Sequence, residues 1–139
     1  MSYAIGQTAE ITRAVTADDV AQFAAIVGDH NPLHLDEDVA REGPFGARIA
    51  HGSLTAALVS SVLGTELPGP GTIFLEQQAR FSAPVYVGDT VTARVEVVDW
   101  DEEKRRMRLK TVCENGSGET VLTGEALVIA PAASTDEDE

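Results

Sequence analysis

The sequence predicts an α+β domain in which an antiparallel sheet wraps around one buried helix. Two stretches carry that prediction. Residues 53–63, SLTAALVSSVL, are apolar on nearly every side and uncharged, and a helix of that composition belongs inside a fold. From residue 73 onward the pattern turns strand-like, with Val91, Ala93, Val95 and Val97 alternating with polar neighbours. Layering such a sheet against such a helix is the usual way both bury their apolar faces. At 139 residues and 43% hydrophobic content, the chain suits one domain with its own core. We expect that domain to span 1–130 and an acidic, disordered tail to occupy 131–139.

The elements follow in order. Residues 1–15 read as a strand or extended arm. Thr16 supplies an N-cap oxygen and Asp19, three residues on, an acidic partner for a capping box, although Glu or Gln is usual there. Val20, Phe23, Ala24 and Val27 then fall at helical spacing, and Gly28 closes the run. Asp29 to Gly52 has no clear period and contains Pro32, Pro44 and three glycines, so it reads as a long ordered loop or a set of turns. After the buried helix, 64–71 (GTELPGPG) is a break. Residues 73–81 form a strand and 84–88 a turn. Residues 90–100 and 107–114 make a hairpin with its tip at 101–105. Asn115-Gly116 signals another, returning through 120–130. The expected result is a meander of about four consecutive strands, with edges that invite pairing of two copies.

Charge excludes several functions. Ten Lys and Arg stand against 23 Asp and Glu, a formal net charge of −13, so phosphate neutralisation on nucleic acid meets a field of the wrong sign. Only Lys104 and Lys110 are lysines. An acidic, lysine-poor surface suits molar salt, where the screening length shrinks to ~3 Å. The single cysteine, Cys113, forms no internal bridge and agrees with a reducing, cytoplasmic setting. The N-terminus lacks a signal-peptide pattern, and no apolar stretch reaches the ~18 residues of a membrane span.

The chemistry-bearing segment is Asp29-His30-Asn31-Pro32-Leu33-His34-Leu35-Asp36, followed by Ala40, Phe45 and Ile49-Ala50-His51-Gly52. Pro32 restricts Asn31 to extended backbone, so the chain turns between Asp29 and His34. Across such a turn a carboxylate and an imidazole can converge on one water, the minimum for adding H and OH to a double bond. Taken singly, Asp29 reads as a turn residue and His34 as a hydrogen-bonded loop histidine. His30, His34 and His51 with Asp29 and Asp36 could also suggest a metal, but the spacing matches no standard zinc pattern and no metal is expected. Gly52 begins the buried helix, where backbone N–H groups lack intrahelical acceptors and a missing side chain permits close approach. Ala56, Ser60 and Leu63 fall on one helical face.

The whole string D-x-N-P-x-H-x-D-x-x-x-A-x-x-x-x-F-x-x-x-I-A-H-G, with PVYVGDTV at 84–91, resembles the signature of the MaoC-like hydratases, above all the (R)-specific enoyl-CoA hydratases. The resemblance covers most of the chain. It implies a hot-dog fold, in which the sheet curls around a long central helix and two subunits pair. It also implies reversible syn hydration of a trans-2-enoyl-CoA to an (R)-3-hydroxyacyl-CoA. Asp29 then corresponds to the family's aspartate, which takes the water's proton, and His34 to its histidine, which holds the water and supplies a proton toward C2. Gly52 corresponds to the amide that receives the thioester oxygen, and Ser60 to a serine beside the pair. Asn31, His51, Ala56 and Leu63 are expected around the substrate, with His51 a structural neighbour more than a proton donor and Leu63 at the pocket floor. No cofactor is implied beyond the coenzyme A of the substrate, whose phosphates would need arginines such as Arg41, Arg48 or Arg80. The alternatives are a branched or dicarboxylic substrate, a hot-dog thioesterase, or a non-catalytic acyl-CoA-binding module. The intact Asp29/His34 pair argues against the last two.

Overall fold

The computed structural model describes residues 2–132, so the tail expected at 131–139 lies almost wholly outside the described residues. The elements are β1 (Thr8–Ala14), α1 (Ala17–Val27), α2 (Pro32–Leu35), α3 (Glu37–Arg41), α4 (Gly52–Thr65), β2 (Ile73–Phe81), β3 (Thr90–Asp101), β4 (Arg106–Asn115) and β5 (Thr120–Ile129). All five strands join one antiparallel sheet in the order β1-β3-β4-β5-β2.

The period-2 pattern determines which face of the sheet is inside. Val91, Ala93, Val95 and Val97 on β3 and Met107, Leu109 and Cys113 on β4 are buried against Leu58, Val59, Val62 and Leu63 of α4. Intervening residues face out, where Arg94 reaches Glu10 at 2.9 Å and Glu114 at 3.0 Å across three strands. At the hairpin tip Trp100 packs edge-on to Tyr3 with centroids 5.1 Å apart, and the Arg105 guanidinium lies 5.2 Å from its ring centre.

Helix α1 starts where its cap dictates. Thr16 accepts from the Asp19 N–H at 3.1 Å, and the Asp19 carboxylate accepts from the Thr16 N–H at 2.9 Å, closing the capping box. Gly28 ends it in the left-handed region, at φ 79°, which turns the chain sharply toward Asp29.

Three expectations need correction. The four later strands are not one meander: β2 crosses to the far edge, where Ile73 lies opposite Ile129 and Phe81 opposite Leu122. The segment from Ser82 to Asp89 prevents a direct β2–β3 hairpin. It bonds to Ile49–Ala50 and to Val15 instead, so β3 enters the sheet beside β1. Second, 29–52 contains helices α2 and α3. Asn31 caps one through a 3.1 Å bond to the Leu33 N–H, and Asp36 caps the other by accepting from Asp38 and Val39. Their short, polar runs show no period. Third, α4 is not covered on every side: Ser53, Ala57, Ser60 and Ser61 remain exposed.

The two sheet edges differ. β1 exposes Thr8, Glu10, Thr12 and Arg13, whereas β2 exposes the large apolar side chains Ile73, Phe74, Leu75 and Phe81 alongside Glu76, Gln77, Gln78 and Arg80.

Candidate active site

The Asp29–Gly52 segment folds back over the start of α4 and gathers three side chains. A carboxylate oxygen of Asp29 and one ring nitrogen each of His34 and His51 lie within 4.8 Å of one another. Asp29 is exposed; the two rings are buried. Local bonds fix each group. The Asp29 carboxylate accepts from the Asn31 N–H at 3.2 Å, and Pro32 opens the short helix that carries His34. His34 Nδ1 sits 2.8 Å from the Ile49 carbonyl oxygen, which can only accept, so Nδ1 carries hydrogen and Nε2 is the nitrogen left for chemistry. By the same logic His51 Nε2 donates to the Asp29 carbonyl at 3.0 Å.

Gly52 is the first residue of α4, and its N–H has no acceptor within the helix. That N–H belongs to the same peptide unit as the His51 carbonyl, which accepts from Leu54 at 3.0 Å and Thr55 at 3.3 Å. Bonds into the carbonyl polarise the unit and make its N–H a stronger donor. The Phe81 ring covers Gly52 so closely that a Cβ there would meet it at 3.2 Å. Beside this N–H opens a mostly apolar cavity of about 320 Å³, lined among others by Phe45, Ile49, Thr55, Phe81 and Val121. The arrangement offers a base, a second proton-transfer group, an amide for a developing oxyanion and an apolar berth.

The other anticipated residues fall elsewhere. Asn31 spends its side-chain oxygen on the α2 cap, which is a structural task. His51 is 1% exposed, with its ring 3.9 Å from that of His34, so its side chain is shut off from solvent. Ala56, Ser60 and Leu63 share a helical face by spacing, yet Ala56 is half-buried, Ser60 exposed and Leu63 in the core. None of the three lines the cavity. Ser60 sits eight residues past Gly52, ~12 Å along the axis at 1.5 Å per residue. Sequence reasoning gave no role to Thr55, Phe81 or Val121. Thr55 was detectable as a hydroxyl one turn into an apolar helix; Phe81 and Val121 approach only through the β2–β5 pairing. Of the three arginines, Arg41 pairs with Asp38 at 3.0 Å, while Arg48 and Arg80 have no ion pair among the described residues.

A five-stranded antiparallel sheet packed on one long helix, with Asp29, His34 and His51 gathered near that helix's first residue, defines a hot-dog protein. The chain belongs to the MaoC-like domain family, whose model matches residues 3–120. It is 50% identical to a 3-hydroxybutyryl-CoA dehydratase of Methylorubrum extorquens over 91% of this chain and 80% of that protein. It is 45% identical to an (R)-specific enoyl-CoA hydratase of Rhodospirillum rubrum over 91% of this chain and 88% of that one. Its fold superposes on the (R)-hydratase of A. caviae involved in PHA biosynthesis with a TM-score of 0.91 and 45% identity, covering 94% of this chain and 98% of that one.

Proposed function

We propose that this protein is an (R)-specific enoyl-CoA hydratase, catalysing reversible syn addition of water to a trans-2-enoyl-CoA. The reading rests on one observation: Asp29 and His34 converge with His51, and the next residue, Gly52, lines an apolar cavity. A water held between the Asp29 carboxylate and His34 Nε2 gives its proton to Asp29 while its oxygen bonds to C3. The C2=C3 electrons move toward the thioester carbonyl, whose oxygen the Gly52 N–H stabilises, and C2 then takes the proton that Asp29 received, passed on within the Asp29/His34 pair, which ends as it began. Delivery of oxygen and proton from one face is what makes the addition syn. The reverse sequence is dehydration of the (R)-3-hydroxyacyl-CoA.

The acyl chain occupies the cavity between Phe45, Ile49 and Phe81. Arg48 and Arg80, each next in sequence to a lining residue and neither ion-paired, are assigned to the coenzyme A phosphates. Conjugated thioesters hydrate with only a base, an acid and a polarised carbonyl, so no metal or cofactor is required. A chelator should therefore leave the rate unchanged.

The active form is a homodimer. Its support is the apolar β2 edge and the uncovered Ser53–Ala57–Ser60–Ser61 face of α4, both of which a second copy would bury. Among the described residues no helix is long and apolar enough to cross a membrane. The free, buried Cys113 supports a cytoplasmic setting, and the net charge of −13 supports work at high salt, supplying hydroxyacyl-CoA for polyester or fatty-acid metabolism.

The test follows loss of enoyl absorbance with crotonyl-CoA at low and molar salt, with chiral analysis of the product. An (R)-3-hydroxy product is expected. Free coenzyme A would move the assignment to a thioesterase, and no turnover of short- or medium-chain substrates at any salt would overturn it.

A further inference from the structure

The side chain of His51 is buried away from solvent, yet three parts of the site attach to it. Its Nε2–H donates to the Asp29 carbonyl at 3.0 Å. Its ring stacks on His34 with centroids 3.9 Å apart and planes 31° apart, and Phe23 packs against it at 5.0 Å. Its own carbonyl heads α4 in the peptide that presents the Gly52 N–H. A histidine kept only to fill the core would have both nitrogens satisfied or be replaceable by phenylalanine. Here Nδ1 is buried with no hydrogen-bond partner, a feature that disfavours imidazole over a phenyl ring. What imidazole adds over phenyl is one donor, and that donor serves the backbone of Asp29.

We infer that His51 is a positioning residue: through one hydrogen bond and one ring stack it sets the spacing of Asp29, His34 and the Gly52 amide. The inference rests on the hydratase reading for its kinetic consequence, though not for its geometry. Sub-ångström displacement of reacting groups is enough to lower a rate, since a ~1 Å misplacement can cost about 100-fold.

Two variants separate the bond from the stack. His51→Phe keeps an aromatic ring and loses the donor; His51→Gln keeps an amide N–H near the Nε2 position and loses the ring. With crotonyl-CoA, His51→Phe should lower kcat by about 10–100-fold with KM changed by less than about threefold. His51→Gln should recover most of that loss while melting at a lower temperature than the phenylalanine variant. A purely structural histidine would make rate follow stability, giving the opposite order. A phenylalanine variant within about threefold of wild-type kcat, or a glutamine variant no faster than it, overturns the inference. Long-range ¹⁵N–¹H correlations read the geometry without turnover. Wild-type His51 should show the Nε2–H tautomer, and His51→Phe should shift the Asp29 and His34 resonances together. An Nδ1–H tautomer, or resonances that stay in place, overturns it as well. If the wild type does not hydrate enoyl-CoA but the tautomer and shifts are as stated, the hydratase reading fails and the positioning assignment stands.

Discussion

Residues 29–52 and the β3–β4–β5 meander are held together by different physics. In the meander, regular alternation buries one row of side chains per strand, and the ladder satisfies the backbone collectively. In 29–52 the backbone is satisfied piecemeal. Asn31 and Asp36 cap single turns, and the Ile49 and Asp29 carbonyls each accept a histidine N–H. Much of the segment is exposed, and most of its bonds are local or made to a side chain. The meander therefore carries stability, with many interchangeable contacts, while the segment carries placement, with few contacts that have no substitute.

The sharpest way to break that comparison is to damage each region and read both rate and stability. Asp29→Asn should lower kcat for crotonyl-CoA hydration by about 10²–10⁴-fold and leave the melting temperature nearly unchanged. Leu109→Ala, in the middle of β4, should cost about 2–5 kcal/mol in denaturant unfolding while the folded fraction keeps its kcat. Similar losses of both properties in both variants would erase the distinction. Gly52→Ala lies at the boundary: the added Cβ meets Phe81 at 3.2 Å. It should slow hydration about tenfold, equivalent to ~1.4 kcal/mol, and Phe81→Leu in the same chain should restore part of the rate.

Smaller effects sharpen the picture at α1. The Asp19 carboxyl is held below its ordinary value, first by the Thr16 backbone N–H, with further help from the Thr16 hydroxyl and Arg13, against the opposing effect of desolvation. A lowered folded-state value means the stabilisation is present at neutral pH and fades as pH falls through the folded carboxyl's range. Asp19→Asn should thus cost on the order of 1 kcal/mol near neutrality and progressively less in acid, measured by urea unfolding across pH. Smallest of all is the response of Cys113, whose thiol burial pushes up to about 11. A thiol reagent at neutral pH should label it only as fast as the protein unfolds, with activity intact until then.

Legibility followed the same division. β2 was placed to the residue, β3 to β5 to within a residue or so, and the cap of α1 with both members of its box, because period and capping are local signals. The partner of β2 was not legible, since pairing order depends on where the 82–89 connection bonds, a long-range choice. At the site, spacing allowed Asp29 and His34 to converge, and the resemblance added Gly52. Spacing did not show that the His51 and His34 rings stack, because which two of three histidines meet is a tertiary choice. Nor did helical periodicity assign Ser60 and Leu63 to the cavity wall: residues three apart point about 60° away from each other around α4, which is enough to put one in solvent and the other in the core.

The unequal edges have a consequence for growth. A sheet that is adhesive along both rims can add copies without end, and an exposed flat edge is the template for doing so. Here only the β2 rim offers isoleucine, phenylalanine and leucine; the β1 rim offers threonine, a glutamate already bonded to Arg94 and an arginine bonded to Asp19. Were β2 to meet β2 about a two-fold axis, as in the proposed homodimer, the rim with the large apolar side chains would be consumed and the β1 rims would remain. In the proposed homodimer addition would stop at two copies, and a concentrated solution of this protein should then resist fibril formation.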